Sequence, residues 1–553
     1  MRRTSMRTVR RTLAGLALLL AAGVPAAKPP ATVLAGHFAG QSIYRDGLLA
    51  SGEPVRAVVQ KSVVLEGFEA ACVNCHRRSG LGGSEGQTPV RPIAGRLLFT
   101  ASQTGFARRR AVATGTTDVR PAYTRASLAR ALREGIDPTG RVLDALMPRY
   151  ALGDDAIDQL YAYLAGLSAA AAPGVSDREI HFATIIAPGV EADRRRAQLD
   201  VLRAFFRDKN SGTRKEARRR EAGSEQMYLA YRTWVLHVWT LEGAPETWHA
   251  QLDAYYREQP VFAVIGGLGR DSWQPVHAFC EGTGVPCVLP DVDYPVVEGA
   301  GYYALYFSRG IALEADLLAR HLAETRVGTG RIVQAFRDDE RGRLPAQALR
   351  LALQRRGIDA LDDYPVSGAG PVPAETWSGL LREARPAILV AWLDPVDVQN
   401  LAASGGPPAG LQTVYLSASL AAMSHASLLD GWQERVRMVY PFALPSGRER
   451  HLARMNVWLR ARQIPPADAR TQANAYFAAT VTGDALAHIG ENFSRDYFIE
   501  RIEQMAETSL SPSIYPRLSL GPGQRFASRG GYIVGFPREA GGAPVPLSDW
   551  LVP

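Results

Sequence analysis

Apolar residues along this chain fall into two textures. From residue 178 onward, short apolar runs alternate with longer amphipathic stretches. Residues 180–187 form a continuous apolar run that predicts a buried strand, followed by a helix through Leu199, Val201, Leu202 and Phe205. Residues 261–265 predict the next strand, which ends in Gly266-Gly267. Further strands are expected at 286–289, 303–307, 331–336, 387–392, 413–416 and 436–440, and helices at 311–322 and 345–355. Strands alternating with helices predict parallel sheets covered on both faces. The region 178–553 is too long for one such sheet, so two α/β lobes are expected. Gly521-Pro522-Gly523-Gln524 and Gly530-Gly531 read as turns between short strands.

The earlier part of the chain reads differently. Residues 32–167 are rich in Gly and Arg, with a loop-like middle at Arg78-Ser79-Gly80-Leu81-Gly82-Gly83-Ser84. This stretch closes with a helix: Ile157, Leu160, Tyr161, Leu164 and Leu167 recur at helical spacing behind Asp154-Asp155. Residues 168–177, beginning Ser168-Ala169-Ala170-Ala171-Ala172-Pro173-Gly174, form a linker.

The first 26 residues set the compartment. Arg2, Arg3, Arg7, Arg10 and Arg11 precede an apolar run over 13–24 that ends in Val24-Pro25-Ala26. Basic start, short apolar core and small-residue end make a secretory signal peptide, and the run is short for a membrane span. An uncleaved anchor is the alternative. No later stretch is apolar for long enough to span a bilayer, so the mature chain is expected to be periplasmic, with no transmembrane segment after cleavage.

Composition adds little to this picture. A hydrophobic content of 46% with 21% charged residues suits a folded globular chain. The formal charge of +8 includes the five signal arginines, which leaves the mature chain near +3 and gives no reason to expect a nucleic-acid partner. The basic run 214–220 reads as a solvated face.

Four cysteines form two close pairs, and each pair needs its own explanation. Cys72-Val73-Asn74-Cys75-His76 is the spacing for covalent attachment of haem c: two thiols reach the two vinyl groups and the adjacent imidazole faces the iron. A redox dithiol or half a zinc site shares the CxxC. Export, the immediately following His76 and the lack of a second CxxC nearby favour haem. Haem is attached after export, which favours the general secretory route over a twin-arginine reading of Arg10-Arg11. Met147 is the one methionine between residues 27 and 176, and a thioether is the usual sixth ligand of an electron-transfer haem. The plainer reading of Met147 is core filler. His37 is the other histidine of this region and a rival ligand.

Taken together, Ala71-Cys72-Val73-Asn74-Cys75-His76, the distal Met147-Pro148 and the closing helix resemble the class I cytochrome c family over residues 40–167. The resemblance implies a small all-α domain with one haem c, ligated by His76 and Met147, whose partly exposed edge exchanges electrons. The Gly-rich segment after His76 is not assigned by the motif.

Beyond residue 178 the order of elements is similar to the type I periplasmic binding proteins, the amino-acid receptors of ABC uptake systems. Residues 261–267 run from a strand into a Gly-rich turn before Ser272-Trp273-Gln274-Pro275, and 303–310 lead into 311–322 like that family's crossover between lobes. The resemblance implies a cleft between lobes where loops at strand C-termini hold a small molecule, as the switch-point rule also expects. It nominates Arg270, Ser272, Asp291 and Asp293 from one lobe, and Trp392, Asp394 and Ser417 from the other. Plainer readings are a helix N-cap for Ser272, turn formers for Asp291 and Asp293, and core for Trp392. Gly267-Leu268-Gly269-Arg270-Asp271 stands where those receptors carry a Ser/Thr-rich loop, which argues against an amino-acid ligand. Cys280 and Cys287 flank a short turn and are a disulfide candidate in an oxidising compartment, with two buried thiols as the alternative.

No G-x-S-x-G, HExxH, Walker loop or helix-opening GxGxxG is present, so no catalytic residue is expected. The resulting expectation is a periplasmic monohaem c-type cytochrome, electron carrier rather than enzyme, with a binding-protein-like region at 178–553 that takes a small molecule or docks a redox partner. That partner would be another cytochrome or a periplasmic dehydrogenase, of quinoprotein type by analogy. The alternative is a solute receptor of an ABC importer with an accessory haem; a haem peroxidase or oxidase would need an open sixth position.

Overall fold

A computed structural model describes residues 31–85, 88–103, 119–221, 232–299, 301–325, 330–368, 370–421, 431–490, 492–505, 513–537 and 542–553. The expected signal peptide and the His37 side chain lie outside the described residues. So do the side chains of the basic run 214–220. Among the described residues no helix is long and apolar enough to cross a membrane. The chain divides into two compact units: residues through Asn74 with Phe99–Ala165, and Cys75–Leu98 with Gly166–Pro553. The stretch 32–167, expected as one domain, is therefore shared between both.

The first unit is not all-α. Helices Ala31–Asp46, Arg125–Glu134 and Asp154–Gly166 are joined by an antiparallel three-stranded sheet, in the order Val63–Glu66, Arg56–Val59, Arg149–Tyr150. The cause is local. Valines at 58, 59, 63 and 64 favour extended backbone, and the turn between them holds Gln60 and Lys61 in the left-handed region, with the Ser62 N–H donating to the Val59 carbonyl at 3.3 Å. The closing helix forms where its periodicity places it, burying Ile157, Leu160 and Leu164. Its backbone meets the first helix at Gly40, where a Cβ would overlap the Gln159 carbonyl. Thr124 and Ser127 form a capping box at the start of Arg125–Glu134, and Gly135 closes that helix in the left-handed region.

The second unit carries two parallel sheets. In lobe one the strands are β1 (Glu179–Ile186), β2 (Thr233–Thr240), β3 (Ala263–Ile265), β4 (Leu268–Gly269), β5 (Cys287–Val288), β6 (Asp291–Val292) and β7 (Ala304–Leu305). β3 and β4 pair with successive parts of β1 (Ala263 opposite Phe182, Leu268 opposite Ile186), so they act as one strand broken at Gly266-Gly267. Both glycines have positive φ, 64° and 134°. β5 and β6 are broken alongside them, and the effective order 2-1-3-4-5 is that of a doubly wound sheet.

Lobe two repeats the plan with β8 (Ile332–Arg337), β9 (Asp362–Val366), β10 (Ile388–Trp392), β11 (Thr413–Ser417) and β12 (Val436–Tyr440) in the order β9-β8-β10-β11-β12. Two antiparallel strands, β13 (Tyr532–Gly535) and β14 (Val545–Pro546), extend its edge. The expected strands in both lobes form, and β2, β9, β13 and β14 join them.

The helices around the two sheets include α1 (Ala192–Glu221), α2 (Gln274–Thr283), α3 (Ile311–Thr325), α4 (Glu340–Gln354), α5 (Pro395–Ala403), α6 (Ala469–Ile489) and α7 (Arg495–Met505). After lobe two the chain returns, and α6 packs beside α1 in lobe one. The chain thus crosses between lobes at 306–310, 441–444 and 513–531. These crossings are bundled: Tyr306 N–H donates to the Arg525 carbonyl at 2.8 Å, Ala443 N–H to Ile514 at 2.8 Å, and Tyr515 stacks on Phe307 at 5.4 Å.

Helix α4 was expected to begin at Pro345, the usual place for proline being the first turn. It begins five residues earlier, because Asp339 caps it by accepting from the Gly342 N–H at 2.9 Å. Pro345 has no N–H to give the Arg341 carbonyl one turn back. The hydroxyl of Tyr294, from lobe one, donates to that carbonyl at 2.7 Å instead.

Cys280, at the end of α2, and Cys287, in β5, are joined by a disulfide with Cα atoms 6.1 Å apart. Closing so short a loop restricts the unfolded chain modestly. Replacing both cysteines by serine is expected to lower stability by about 2–3 kcal/mol, measured by denaturant unfolding of the full chain; an unchanged midpoint would show that the bond adds no stability.

Candidate functional site

The third strand of lobe two lies beside its first, so the helices that follow β8 and β10 leave the sheet on opposite faces. A crevice opens between their N-termini. It is a pocket of about 360 Å³, lined from the β8 side by Arg337, Asp339, Arg341 and Gly342 and from the β10 side by Trp392, Asp394, Val396 and Asp397. Leu420 and, from lobe one, Tyr294 complete much of its wall. The volume suits a small organic solute, and few of the lining groups are left to move.

The polar side chains are fixed by specific partners. Arg337 makes a bidentate pair with the fully buried Asp397 at 2.7 and 2.9 Å, and Asp397 also accepts from the Val372 N–H at 2.8 Å. Asp394 caps α5 by accepting from the Asp397 N–H at 3.1 Å. The indole N–H of Trp392 donates to Gln334 Oε1 at 3.2 Å, which leaves its ring as wall. Arg341 pairs with Asp271 of lobe one at 3.5 Å, so Arg341 joins the lobes through both its side chain and its carbonyl.

Of the seven residues nominated from sequence, the structure brings Trp392 and Asp394 into this pocket. The other five lie elsewhere. Ser417 is buried at the end of β11 and accepts from the Leu420 N–H at 3.1 Å. Arg270 pairs with Glu191, and Ser272 accepts from the Gln274 N–H at 3.4 Å at the mouth of α2. Asp291 and Asp293 are buried in an ion network. Arg470, in the first turn of α6, reaches Asp291 and Asp293, each at 2.8 Å, and Arg194 of α1 reaches Asp291 at 3.1 Å. Thr471 and Asn474 also donate to Asp291, at 2.8 and 3.1 Å. Burial alone would push the Asp291 carboxyl up; Arg470 and Arg194 outweigh it and hold the group at about 2.

Glu314 in α3 is the opposite case. It accepts from the Ser419 N–H at 3.1 Å and the Ser419 hydroxyl at 2.5 Å, yet burial dominates and pushes its carboxyl up to about 7. Sequence reading missed Glu314, Arg337, Arg341 and Tyr294. Only Asp339, an Asp three residues before a glycine at a helix start, carried a local sign of its role.

The CxxCH segment forms a one-turn helix, Val73–His76, through which the chain passes from the first unit to the second. In the first unit Cys72 is buried, and its approach is held by the Asn74 side chain, which donates to the Phe68 carbonyl at 2.7 Å. Met147 is half-buried there, in a turn where its N–H donates to the Asp144 carbonyl at 3.1 Å. In the second unit His76 is buried, and its Nδ1 lies 3.0 Å from the Arg91 carbonyl. A carbonyl only accepts, so Nδ1 carries the proton and Nε2 keeps its lone pair. Burial lowers the His76 pKa to about 4, so the ring is neutral. A neutral imidazole oriented through its other nitrogen by a carbonyl is what a metal-ligating histidine requires, and the segment fits a haem in this respect.

No protein-family model matches the chain, and no curated protein does. Among solved structures it is similar to a branched chain amino acid ABC transporter from Thermus thermophilus with bound valine: 11% identity, 68% of this chain and 98% of that chain, TM-score 0.51. A fatty acid ABC transporter substrate-binding protein from Thermomonospora curvata shares 14% identity over 69% of this chain and 95% of its own, TM-score 0.49. A solute binding protein of an ABC transporter from R. palustris, in complex with benzoate, shares 11% over 68% and 98%, TM-score 0.49. The first of these shows that the chain contains the two-lobed α/β fold of the type I periplasmic binding proteins.

The Glu314 carboxyl gives a pH signature. Between its ordinary value and about 7 the unfolded chain ionises while the folded chain stays protonated, so this group costs stability as pH rises through that window. Glu314→Gln removes the cost. The variant is expected to match the parent near pH 4.5 and to exceed it by about 2–4 °C in Tm at pH 8; an equal Tm difference at both pH values would contradict this.

Proposed function

We propose that the chain is a periplasmic solute-binding protein whose two-lobed body takes a small molecule in the pocket of lobe two and which carries one haem c. The pocket carries this reading. It sits at the switch point of a doubly wound sheet, and its Arg337 guanidinium is held by the buried Asp397 before any solute arrives. Arg341 offers a guanidinium, Asp394 a carboxylate, and Trp392 and Tyr294 flat apolar faces. A solute with both an ionised group and an unsaturated or aromatic part matches those walls. Uptake would need separate permease and ATPase partners.

The test is a thermal-shift screen of the full chain against panels of aromatic carboxylates, aliphatic carboxylates, amines and amino acids. One class is expected to raise stability with the logarithm of its concentration, by about 2.7 kcal/mol at one hundred times its Kd. Indifference to every class would remove the receptor reading.

A second reading is favoured by the His76–Arg91 contact. In it the chain is an electron carrier, and the lobes dock a redox partner, another cytochrome or a periplasmic dehydrogenase of quinoprotein type. Cys72 and Cys75 would hold the haem through thioether bonds, with His76 and Met147 as axial ligands. When bound, the haem supplies one-electron exchange between ferric and ferrous iron. The chain's own part is to keep Nε2 of His76 unprotonated, through the Arg91 carbonyl and burial, and to shield the thiol of Cys72 from solvent. In protein made by a host that matures cytochromes, a near-infrared methionine-to-iron band is expected in the oxidised form and should vanish in Met147→Ala. Its persistence in that variant would exclude Met147 as ligand.

A further inference from the structure

The loop that follows His76 is not needed to attach a haem, yet it is among the most tightly held parts of the second unit. Ser79 is fully buried. Its N–H donates to Glu500 Oε1 at 2.8 Å and its hydroxyl to Glu500 Oε2 at 2.6 Å, so one carboxylate of α7 grips the residue twice. The Ser79 carbonyl in turn accepts from the Ser168 hydroxyl at 2.8 Å. Gly82 has φ +75°, and a Cβ there would overlap the Val90 carbonyl, so the loop has little freedom to rearrange.

Arg78 points the other way along the same surface. Its guanidinium lies 4.0 Å from the ring centre of Tyr302 and 4.0 Å from the Asp496 carboxylate. Arg525 also stacks on Tyr302, at 5.2 Å, and donates to the Tyr302 carbonyl at 2.7 Å. Tyr302 therefore meets two guanidinium groups, one from the post-CxxCH loop and one from the last crossing between lobes. Arg525 is itself paired with the buried Glu503, one turn of α7 from Glu500. Its carbonyl accepts from Tyr306 N–H, and Ala527 N–H donates to the Tyr306 carbonyl at 3.0 Å. These are the hydrogen bonds that zip the first and last crossings together.

We propose that residues 77–82 are a strap that couples the His76 turn to the interlobe hinge, through Ser79–Glu500 on one side and Arg78–Tyr302–Arg525 on the other. Opening or closing of the lobes shifts the crossings at 306–310 and 513–531, beside Tyr302 and around Arg525, and the strap carries that shift to the turn. Cation–π contacts and charge-assisted hydrogen bonds of this kind are short-ranged, so a small hinge displacement breaks or remakes them. The inference goes beyond the receptor reading and holds for either role of the haem.

The test is hydrogen exchange by mass spectrometry on the full chain, with each end perturbed and the other end read. Arg78→Met and Ser79→Ala are expected to speed exchange of the amides in 304–307 and 525–528 by about tenfold. Arg525→Met is expected to speed exchange in 77–82 by a similar factor. Ser79→Thr, which keeps the hydroxyl, should restore the hinge protection lost in Ser79→Ala. If each variant changes exchange only around its own position, the strap is a local packing feature and the proposal is overturned. Should Arg525→Met not fold, the Ser79 pair decides alone. Haem staining of the same preparations reads the cofactor separately, so a colourless protein removes the haem while the exchange data still decide the strap.

Discussion

The architecture of the second unit turns on one buried guanidinium. Arg470 stands in the first turn of the helix that returns from lobe two, and it neutralises two carboxylates at the strand ends of lobe one. A charge out of water is tolerated only when paired and hydrogen-bonded. Asp291 has four such partners, from two helices distant in sequence, α1 and α6. The same guanidinium lies 5.4 Å from the ring centre of Phe442, in the middle crossing between the lobes. Lobe one is thereby closed by a helix that the chain supplies only after lobe two is built.

That constraint also explains where the pocket is. Strand-end carboxylates of lobe one are consumed by arginines, so lobe one offers the pocket mainly Tyr294. Lobe two supplies the rest, at the switch point between β8 and β10. Pro345 adds to this: by leaving the Arg341 carbonyl without a helical donor, it creates the acceptor that the Tyr294 hydroxyl uses across the lobes. A residue that weakens α4 as a helix strengthens the contact between the lobes.

Much of the lobe architecture was legible, because buried parallel strands are continuous apolar runs. The segment β9 was not, since Asp362, Asp363 and Pro365 suit an edge strand and carry no apolar run. β2 is legible in principle, because Trp234, Val235, Leu236, Val238 and Trp239 make an apolar stretch. The N-terminal sheet is not legible from the haem motif and the closing helix, which by themselves imply an all-helical unit, because its strands are two to four residues long. Site residues were harder. Trp392 and Asp394 follow from their place at a strand end, whereas the Arg337–Asp397 and Asp271–Arg341 pairs join residues far apart in sequence. Asp291 and Asp293 follow the apolar run 286–289 and suggest a turn or a ligand loop, whereas the structure puts Asp291 in β6 and both in an ion network. Their partners, 97 and 177–179 positions away, were beyond a reading of single segments.

Carboxylates that build the body are distinct from the groups proposed to meet a solute, and affinity measurements on two variants test that separation most directly. With the solute class found by screening, calorimetric titration of Arg341→Ala is expected to show affinity lowered at least about tenfold, or about 1.4 kcal/mol. Asp291→Asn should keep the parent affinity while unfolding at lower temperature. If Asp291→Asn abolishes binding and Arg341→Ala leaves it intact, the solute sits among the lobe-one carboxylates and the pocket assigned here is the wrong one.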